Sequence, residues 1–488
     1  MVNEKIMDSY ELTVNDILID VTIVQTEEEP VPIYNISITN ISDTTKIILD
    51  KIREEFVESS IKALSVTAEG FTIENIQDEF RKNILGLLKK YFPNANKKTM
   101  DMLINYVLQQ NIGLGNIEIL LKDKNLEEIV INNAQDPVWV YHRRYGWLKT
   151  NVKMPSESRI RHYSTMIGRD MGKEITMLSP LMDAHLKTGD RVNATLSPIS
   201  SKGNTITIRK FAVKPWTITD FIRENTISLE AAALLWMAVQ NELSIIIAGG
   251  TASGKTSMLN VLSNFFPPNQ RIISLEDTRE LVLPNTLHWV PLETRLANPE
   301  GKGGISMLDI VINSLRMRPD RIVVGEIRRK AEAEVLFEAM HTGHSVYATL
   351  HANNARETIN RLTHPPIDLP KQLLSALSLI VVQHINRRNG RRRTLQIAEV
   401  LPNGDARVLI QSNVQKDALE KISEPETMFE TLNLYTGLSK EDILADIKNK
   451  IEILQWMVTE NINDVHNIGL IMSKYYMGKP FKYLLSRS

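Results

Sequence analysis

The first hundred residues show two patterns of apolar positions. In residues 17–24 every second side chain is apolar, and residues 33–39 repeat this spacing, so both stretches predict β-strands. After residue 43 the apolar positions recur about every four residues, which predicts an amphipathic helix. Further helices are predicted at about 74–92 and 97–110. We therefore expect two strands followed by a helical region.

Residues 113–211 have mixed character. Strand patterns occur at 126–132, 138–150 and 204–211, with less regular segments between them. The sequence KPWT at 214–217 then interrupts the pattern and is interpreted as part of a linker. Taken alone, this half of the chain has the pattern of a structural scaffold.

Composition narrows the class of protein. The chain has 488 residues, 43% of them apolar and 24% charged, and a formal net charge of −1, which argues against a dedicated nucleic-acid coat. No apolar run approaches the roughly 18 residues that a membrane span requires, and the start of the chain lacks the apolar core of a signal peptide. We expect an intracellular protein that is soluble or lies on a membrane without crossing it.

Residues 242–266 carry the strongest chemical signal. A buried-type strand leads into Gly-x4-Gly-Lys-Thr and then into an apolar helix, which is the P-loop pattern in its usual context. A chance glycine-rich turn is the alternative, but the flanking strand and helix disfavour it. Backbone N–H groups of such a loop and the helix N-terminus bind phosphate, the lysine reaches the β- and γ-phosphates, and the threonine hydroxyl ligates Mg²⁺. The predicted nucleotide-binding residues are Gly249, Gly250, Thr251, Ala252, Ser253, Gly254, Lys255, Thr256 and Ser257.

Acidic and histidine side chains follow three further predicted strands. They are Glu276 after 271–275, Glu326 after 321–325 and His351 after 345–350. Because ligands bind at the carboxyl ends of strands in a parallel α/β sheet, we expect these three residues and Lys255 at one sheet edge.

Phosphoryl transfer to water suggests a role for each. Glu276, on a strand expected beside the P-loop strand, would orient the attacking water, and Glu326 would hold Mg²⁺ with Thr256, partly through water. His351 would sense the γ-phosphate or position the water. Taken singly, each could instead be a solvated loop residue or a structural histidine. His344, Asp277 and Arg328 are weaker candidates for the same site.

Four segments together resemble a known family. GGTASGKTS (249–257), SLEDTREL (274–281), RPDRIVVGEIR (318–328) and TGHSVYATLHANNA (342–355) are similar to the Walker A motif, Asp box, Walker B motif and His box of the secretion and traffic ATPases of type II secretion, type IV pili and archaella. The resemblance covers roughly residues 115–488. VYHRRYGWLKTN (140–151) looks most like the archaeal branch, which includes archaellum and pilus assembly ATPases.

This resemblance implies a fold and a division of the chain. The fold class would be α/β, a RecA-like P-loop ATPase domain with a mixed α/β N-terminal domain and a helical C-terminal tail. The implied parts are an N-terminal β/α and helical region at 1–112, a PAS-like α/β domain at 113–211, a linker at 212–226, the RecA-like domain at 227–410 and a helical region at 411–488.

The resemblance also implies an assembly and a catalytic role for two arginines. Family members form hexameric rings with nucleotide between the N-terminal and ATPase domains, and Arg191 and Arg209 match the arginines that approach its phosphates. The alternative is that both are ordinary strand-surface arginines. Mg²⁺ and ATP are the implied cofactors. The four-cysteine zinc module of many bacterial members cannot exist here, because the chain has no cysteine, so no zinc is expected.

Two features of the C-terminal third remain open. Ser439 and Asp442 form a predicted capping box for a helix with Ile443, Ile447, Ile451, Leu454 and Val458 on one face, which would pack in the core or dock a membrane partner. NRRNGRRRT (386–394) predicts a hairpin turn with five arginines, Arg387, Arg388, Arg391, Arg392 and Arg393, which would be solvated or would contact acidic lipid headgroups.

The leading hypothesis is a homo-hexameric ATPase that drives assembly of a type IV pilus-like or archaellum filament, or protein secretion. It would be cytoplasmic, at the inner face of the cytoplasmic membrane, with a polytopic platform protein as partner. A nucleic-acid translocase on the same core is the alternative, but the net charge of −1 disfavours it and no nucleic acid is expected. A small-molecule kinase is a third hypothesis, disfavoured by the size of the chain and its glutamates after two strands.

Overall fold

The computed structural model describes residues 5–64, 73–111, 113–186, 188–210, 215–295, 297, 301–388, 390–413 and 415–478. The chain forms two compact units, residues 1–211 and 212–488. Within the described residues, no helix combines the length and apolar character that crossing a bilayer requires.

The first unit is built on a mixed arrangement of strands and helices. Its elements are β1 (Lys5–Val14), β2 (Ile17–Gln25), β3 (Ile33–Ile38), α1 (Asp43–Leu64), α2 (Ile73–Tyr91), α3 (Lys97–Asn111), α4 (Asn116–Lys122), β4 (Leu126–Ile131), β5 (Pro137–His142), β6 (Gly146–Lys153), α5 (Glu157–Asp170), β7 (Leu181–His185), β8 (Arg191–Thr195) and β9 (Thr205–Arg209).

One sheet runs through the whole of this unit. Its strand order is β1-β2-β3-β6-β5-β4-β9-β8-β7, and the parallel pairing of β3 with β6 joins strands from either side of residue 112. The two predicted strands and three predicted helices of the first hundred residues are confirmed as β2, β3 and α1–α3, whereas β1 was not predicted. Strand β1 escapes detection because its side chains are mostly exposed, so its apolar alternation is weak.

A buried carboxylate connects β1 and β3 to the rest of this unit. Asp123, directly after α4, is fully buried, and its Oδ2 accepts hydrogen bonds from the hydroxyls of Tyr10 and Tyr34, each at 2.6 Å. Its Oδ1 accepts the backbone N–H of Asn125 at 2.8 Å. Burial and the adjacent carboxylate raise the pKa of Tyr34. Three hydrogen bonds thus compensate for the burial of this carboxylate.

The second unit contains the segments with candidate chemistry. Its elements are α6 (Ile218–Arg223), α7 (Leu229–Gln240), β10 (Ile245–Gly249), α8 (Lys255–Ser263), β11 (Arg271–Glu276), β12 (His288–Glu293), α9 (Met307–Leu315), β13 (Arg321–Val324), α10 (Lys330–His341), β14 (Ser345–Leu350), α11 (Ala355–Thr363), a 3₁₀ helix (Lys371–Ala376), β15 (Leu379–Ile385), β16 (Arg392–Val400), β17 (Ala406–Asn413), β18 (Ala418–Lys421), α12 (Glu426–Thr436), α13 (Lys440–Thr459) and α14 (Val465–Tyr476).

The sheet of this unit has the order β12-β11-β13-β14-β10-β15-β16-β17-β18. The strands from β12 to β15 pair in parallel, and β15 to β18 pair antiparallel. The strands β10, β13 and β14 are buried along their whole length, as continuous apolar runs in a sheet covered on both faces should be. Strand β14 separates the P-loop strand β10 from β13. The predicted α/β, RecA-like fold class is confirmed.

A buried lysine lies where the C-terminal helices α13 and α14 pack against helix α7. Lys450, in α13, is fully buried, and its Nζ donates to Asp446 Oδ2 at 2.6 Å and to the Tyr475 hydroxyl at 2.8 Å. The ammonium also lies 5.3 Å from the centroid of the Trp236 ring. The predicted capping box of Ser439 and Asp442 is present at the start of α13. The apolar face predicted for α13 coincides only partly with the face that is buried, because Lys450 lies at the centre of the buried face.

The division predicted from sequence is finer than the two units. The predicted boundary at 112 divides the strands of one sheet between two regions, and the predicted linker 212–226 includes α6. The predicted helical region at 411–488 begins with the end of β17 and with β18, so its helices start only at Glu426. Residues 211–214 and the last ten residues lie outside the described part of the chain.

We expect Tyr34→Phe to destabilise the first unit more than Tyr10→Phe. Both variants remove one hydrogen bond to Asp123, but Tyr34 is fully buried and Tyr10 is half-buried, so the loss should be roughly 2 kcal/mol against about 1. Hydrogen exchange of the β1–β3 amides, followed by mass spectrometry, measures the difference. Equal exchange in the two variants would contradict a role for burial at Asp123.

Candidate nucleotide site

The P-loop requires glycine at two positions, where a side chain would clash or the backbone is left-handed. Strand β10 ends at Gly249, and Gly254, with a φ of +94°, caps α8 in the left-handed region. A Cβ on Gly249 would lie 2.6 Å from the carbonyl oxygen of Gln383 and still closer to Ser253 Oγ. The loop is therefore tightly wound and leads directly into the N-terminus of α8, an arrangement typical of phosphate-binding loops.

Lys255 bonds back to the start of the P-loop and also reaches the end of the neighbouring strand in the sheet, β14. Its Nζ donates to the carbonyl oxygens of Gly249 and Gly250, each at 3.0 Å. The same nitrogen lies 3.3 Å from Nδ1 of His351, the residue that follows β14. The lysine thus joins the P-loop to the neighbouring strand end.

His351 extends this contact to a carboxylate. Its Nε2 lies 3.1 Å from Glu326 Oε1, at the loop after β13. Burial and the adjacent Lys255 ammonium lower the pKa of His351, which favours the neutral form of the ring. Because Nδ1 faces a cation, it acts as the acceptor, and Nε2 carries the proton that Glu326 accepts. Lys255, His351 and Glu326 form one hydrogen-bonded chain across three strands.

Arg328 connects Glu326 to a second carboxylate. Its guanidinium lies 2.8 Å from Glu326 Oε2 and 2.6 Å from Asp277 Oδ2. Asp277 Oδ1 also accepts the hydroxyl of Thr294 at 3.2 Å. Asp277 and Arg328, the weaker sequence candidates, therefore lie with Glu326 at the same edge.

Glu276 differs from these residues in its burial. The side chain is 2% exposed, and its Oε1 accepts the backbone N–H groups of Glu280 and Leu281 at 2.8 and 3.0 Å. Its Oε2 is buried without a hydrogen-bond partner among the described residues. Burial raises the pKa of Glu276 to about 7, against the lowering effect of the two N–H groups. This is a carboxylate held in place on one oxygen, with the other available for a further hydrogen bond.

The predicted convergence at one edge is confirmed for Lys255, Glu276, Glu326 and His351, but the predicted order of strands is wrong. The strand beside β10 is β14, which carries His351, and β11 with Glu276 is separated from β10 by β14 and β13. Sequence order does not reveal this arrangement because parallel strands can be placed in the sheet out of chain order.

His344 is not part of this edge. It precedes β14, at the end of the strand opposite to His351, and its Nδ1 lies 3.3 Å from both Thr342 Oγ1 and the carbonyl oxygen of Ala339. The structure thus places it in the turn after α10, where Thr342 and Ala339 are its partners.

Arg191 and Arg209 lie side by side in the first unit. They are directly opposite each other on β8 and β9, so both side chains are on one face of the sheet. Arg191 forms a two-point ion pair with Asp183, with Nε to Oδ1 at 3.1 Å and Nη2 to Oδ2 at 2.6 Å. Glu128 lies opposite Arg209 on β4.

The arginine-rich turn contributes a residue that the sequence did not assign to the site. Its hairpin is confirmed, with β15 and β16 antiparallel, although Asn389 lies outside the described residues. Arg393 pairs with Asp417 at 2.8 Å, and Arg391 reaches the same carboxylate at 3.5 Å. Arg392 instead donates from Nε to the carbonyl oxygen of Ala252 in the P-loop at 3.0 Å. The only sequence signal was the position of this arginine after a strand that follows the His box.

Comparisons with known proteins show the family of this chain. A family model described as type II/IV secretion system protein matches residues 110–434, so the chain belongs to that family, as its motifs predicted. An uncharacterised protein of the archaeon Methanocaldococcus jannaschii is 34% identical over 384 residues, which are 76% of this chain and 69% of that protein.

Bacterial relatives match over a shorter region. The type IV secretion system protein PtlH of Bordetella pertussis is 32% identical over 318 residues, covering 57% of this chain and 91% of PtlH. Among solved structures, the ATPase DotB of Legionella pneumophila aligns with a TM-score of 0.45 and 19% identity, covering 74% of this chain and 91% of DotB.

Gly249→Ala should destabilise the second unit, whereas Gly250→Ala should not. A Cβ at 249 would collide with Gln383 and Ser253, while the nearest atom to a Cβ at 250 is Asn353 Oδ1 at 3.6 Å, an ordinary contact. We expect a loss of roughly 1–3 kcal/mol for the first variant and less than about 0.5 for the second. Thermal unfolding measures both, and similar transitions would contradict the tight fit at Gly249.

Proposed function

We propose that this chain is an ATPase motor that hydrolyses ATP to drive assembly of a type IV pilus-like or archaellum filament, or protein secretion. The observation that carries the proposal is the chain from the P-loop Lys255 through His351 to Glu326. A P-loop alone binds nucleotide, but a P-loop lysine connected to a carboxylate and a histidine at adjacent strand ends has the groups that hydrolysis needs.

The phosphates would be bound by the P-loop. Its backbone N–H groups from 249 to 257 and the positive end of the α8 dipole would hold the β-phosphate, and Lys255 would reach the β- and γ-phosphates. To do so, the ammonium would exchange the carbonyl oxygens of Gly249 and Gly250 for phosphate oxygens. His351, next to Lys255, would detect whether the γ-phosphate is present.

Glu276 is the proposed water-orienting carboxylate. Its Oε1 is held by two backbone N–H groups, which fixes the direction of the buried Oε2. A pKa of about 7 makes it an efficient acceptor of a proton at neutral pH. Arg328, which is itself paired with Asp277, would hold the Glu326 carboxylate in position.

The residues present also fit Mg²⁺. Among described residues no three His, Cys, Asp or Glu side chains form a group that could hold a metal, so the protein would offer only the Thr256 hydroxyl and the Glu326 carboxylate. These oxygen ligands suit Mg²⁺, which typically keeps several waters and binds phosphate oxygens with only one or two protein groups. The ion would supply charge stabilisation to the phosphates.

Arg191 and Arg209 are proposed to neutralise phosphate charge in the transition state. Strand pairing places both guanidiniums on one face of the sheet, so both can contact the same polyanion. The triphosphate is such a polyanion, which is the physical reason to propose these two residues.

The partners follow from the family. We propose a homo-hexamer at the inner face of the cytoplasmic membrane, working on a polytopic platform protein, since relatives include a type IV secretion system protein. Contact with acidic lipid would rest on Arg387 and Arg388, which are exposed, because Arg391, Arg392 and Arg393 have partners within the chain.

Lys255→Ala, Glu276→Gln and Glu326→Gln should each lower ATP turnover by roughly 100-fold or more, since each removes a group that contacts phosphate, water or metal. Phosphate release from purified protein measures this. The matched control is Glu338→Gln, an exposed glutamate on α10, which should retain wild-type turnover. Normal turnover in both Lys255→Ala and Glu326→Gln would reject the site assignment, and strong stimulation by single-stranded DNA would favour the translocase alternative.

The pH dependence should report Glu276. Its carboxyl must be ionised to accept a proton from water, so kcat/KM should rise with pH through about 7 and fall as pH drops below that value. His351→Gln should keep this acid limb, and Glu276→Gln should show a low rate without it. An unchanged limb in Glu276→Gln would assign the titration to another group.

A further inference from the structure

Arg392 reaches the nucleotide edge through the register of three strands. Strand β15 is parallel to β10, with Gln383 beside Gly249, so the two strands end at the same edge of the sheet. Strand β16 returns antiparallel, with Arg392 opposite Ile385, the last residue of β15. The hairpin thus brings residue 392 back to the height of the P-loop, although 140 positions separate it from Ala252.

The side chain contacts the P-loop itself. Nε of Arg392 donates to the carbonyl oxygen of Ala252 at 3.0 Å, and its Cδ lies 3.5 Å from the position that a Cβ on Gly254 would take. Ala252 has a φ of +62°, the left-handed region that a non-glycine residue rarely adopts. The arginine therefore contacts the loop where its backbone is least favourable.

The backbone that carries this arginine is itself fixed. The hydroxyl of Thr226 donates to the Arg392 carbonyl oxygen at 3.3 Å, and the N–H of Thr394 donates to the Thr226 carbonyl oxygen at 2.8 Å. Next to it, Arg393 pairs with Asp417 and also donates to the Glu224 carbonyl oxygen at 3.0 Å. These contacts with two neighbouring segments hold the backbone of Arg392 in place. Its side chain can therefore support the P-loop from a fixed position.

We propose that Arg392 is a positioning residue for phosphate binding. Its hydrogen bond fixes the Ala252 carbonyl oxygen and thereby the backbone of the loop, which keeps the following N–H groups directed toward the phosphates. A charged donor makes this hydrogen bond stronger than a neutral one. The proposal rests on the proposed ATP site, and it assigns to this arginine a partner within the chain rather than a lipid headgroup.

The test compares nucleotide with a phosphate chain that has no nucleoside. Binding of Mg-ADP and of inorganic tripolyphosphate to the full chain is measured by calorimetry for wild type, Arg392→Ala and Arg392→Lys. The control is Arg316→Ala, an exposed arginine after α9 at the opposite edge of the sheet, which makes the same change in charge. Thermal unfolding shows whether each variant keeps its fold.

We expect Arg392→Ala to bind both compounds roughly tenfold more weakly with an unfolding temperature close to wild type, because the loop loses one charged hydrogen bond. Arg392→Lys should recover part of the affinity, and Arg316→Ala should match wild type. Unchanged affinity in Arg392→Ala, or an equal loss in Arg316→Ala, would overturn the proposal.

Two further outcomes separate this proposal from others. Weaker binding of ADP with normal binding of tripolyphosphate would overturn it in favour of a contact with the nucleoside. Wild-type protein that binds both compounds but does not hydrolyse ATP would reject the proposed function, while the comparison of variants would still decide the role of Arg392.

Discussion

Three neighbouring parallel strands, β10, β14 and β13, end at the same edge of the second sheet, and the segment that follows each strand places one polar residue there. The Lys255 ammonium, the His351 ring and the Glu326 carboxylate can form a hydrogen-bonded chain only because of this alignment, with separations of 3.3 and 3.1 Å. In strands buried on both faces, a slip of one residue would draw the polar residues that follow the strands toward the core, which is costly. The precision of the site thus comes from the core beneath it.

The C-terminal helix α14 holds the other end of α8, the helix that follows the P-loop. The Tyr476 hydroxyl donates to the carbonyl oxygen of Phe265, just after α8, at 2.6 Å, and accepts from Trp236 Nε1 at 3.1 Å. Beside them, burial lowers the pKa of Lys450, but Asp446 and Tyr475 satisfy the ammonium. A buried charge is tolerated where its partners are complete, and these partners come from two tail helices.

The first unit uses buried polar groups in a comparable way. Asp123 joins β1 and β3 through two tyrosine hydroxyls, so the strands from before residue 112 belong to the same sheet as those after it. On another part of that sheet, Arg191 and Arg209 form a pair of adjacent positive charges with Asp183 beside them. Strand pairing thus determines which polar side chains of this sheet lie next to one another.

The sequence alone determined the P-loop, the strand–helix alternation around it and the residues that follow β11, β13 and β14, because these depend on local patterns of glycine, apolar and acidic residues. Only the tertiary structure decided that β14 rather than β11 lies beside β10, that His344 is at the far end from His351, and that Lys450 and Arg392 are structural partners of the core and the P-loop. The physical reason is the same in each case: strand order and side-chain partners depend on contacts between residues tens to hundreds of positions apart, which no local pattern records.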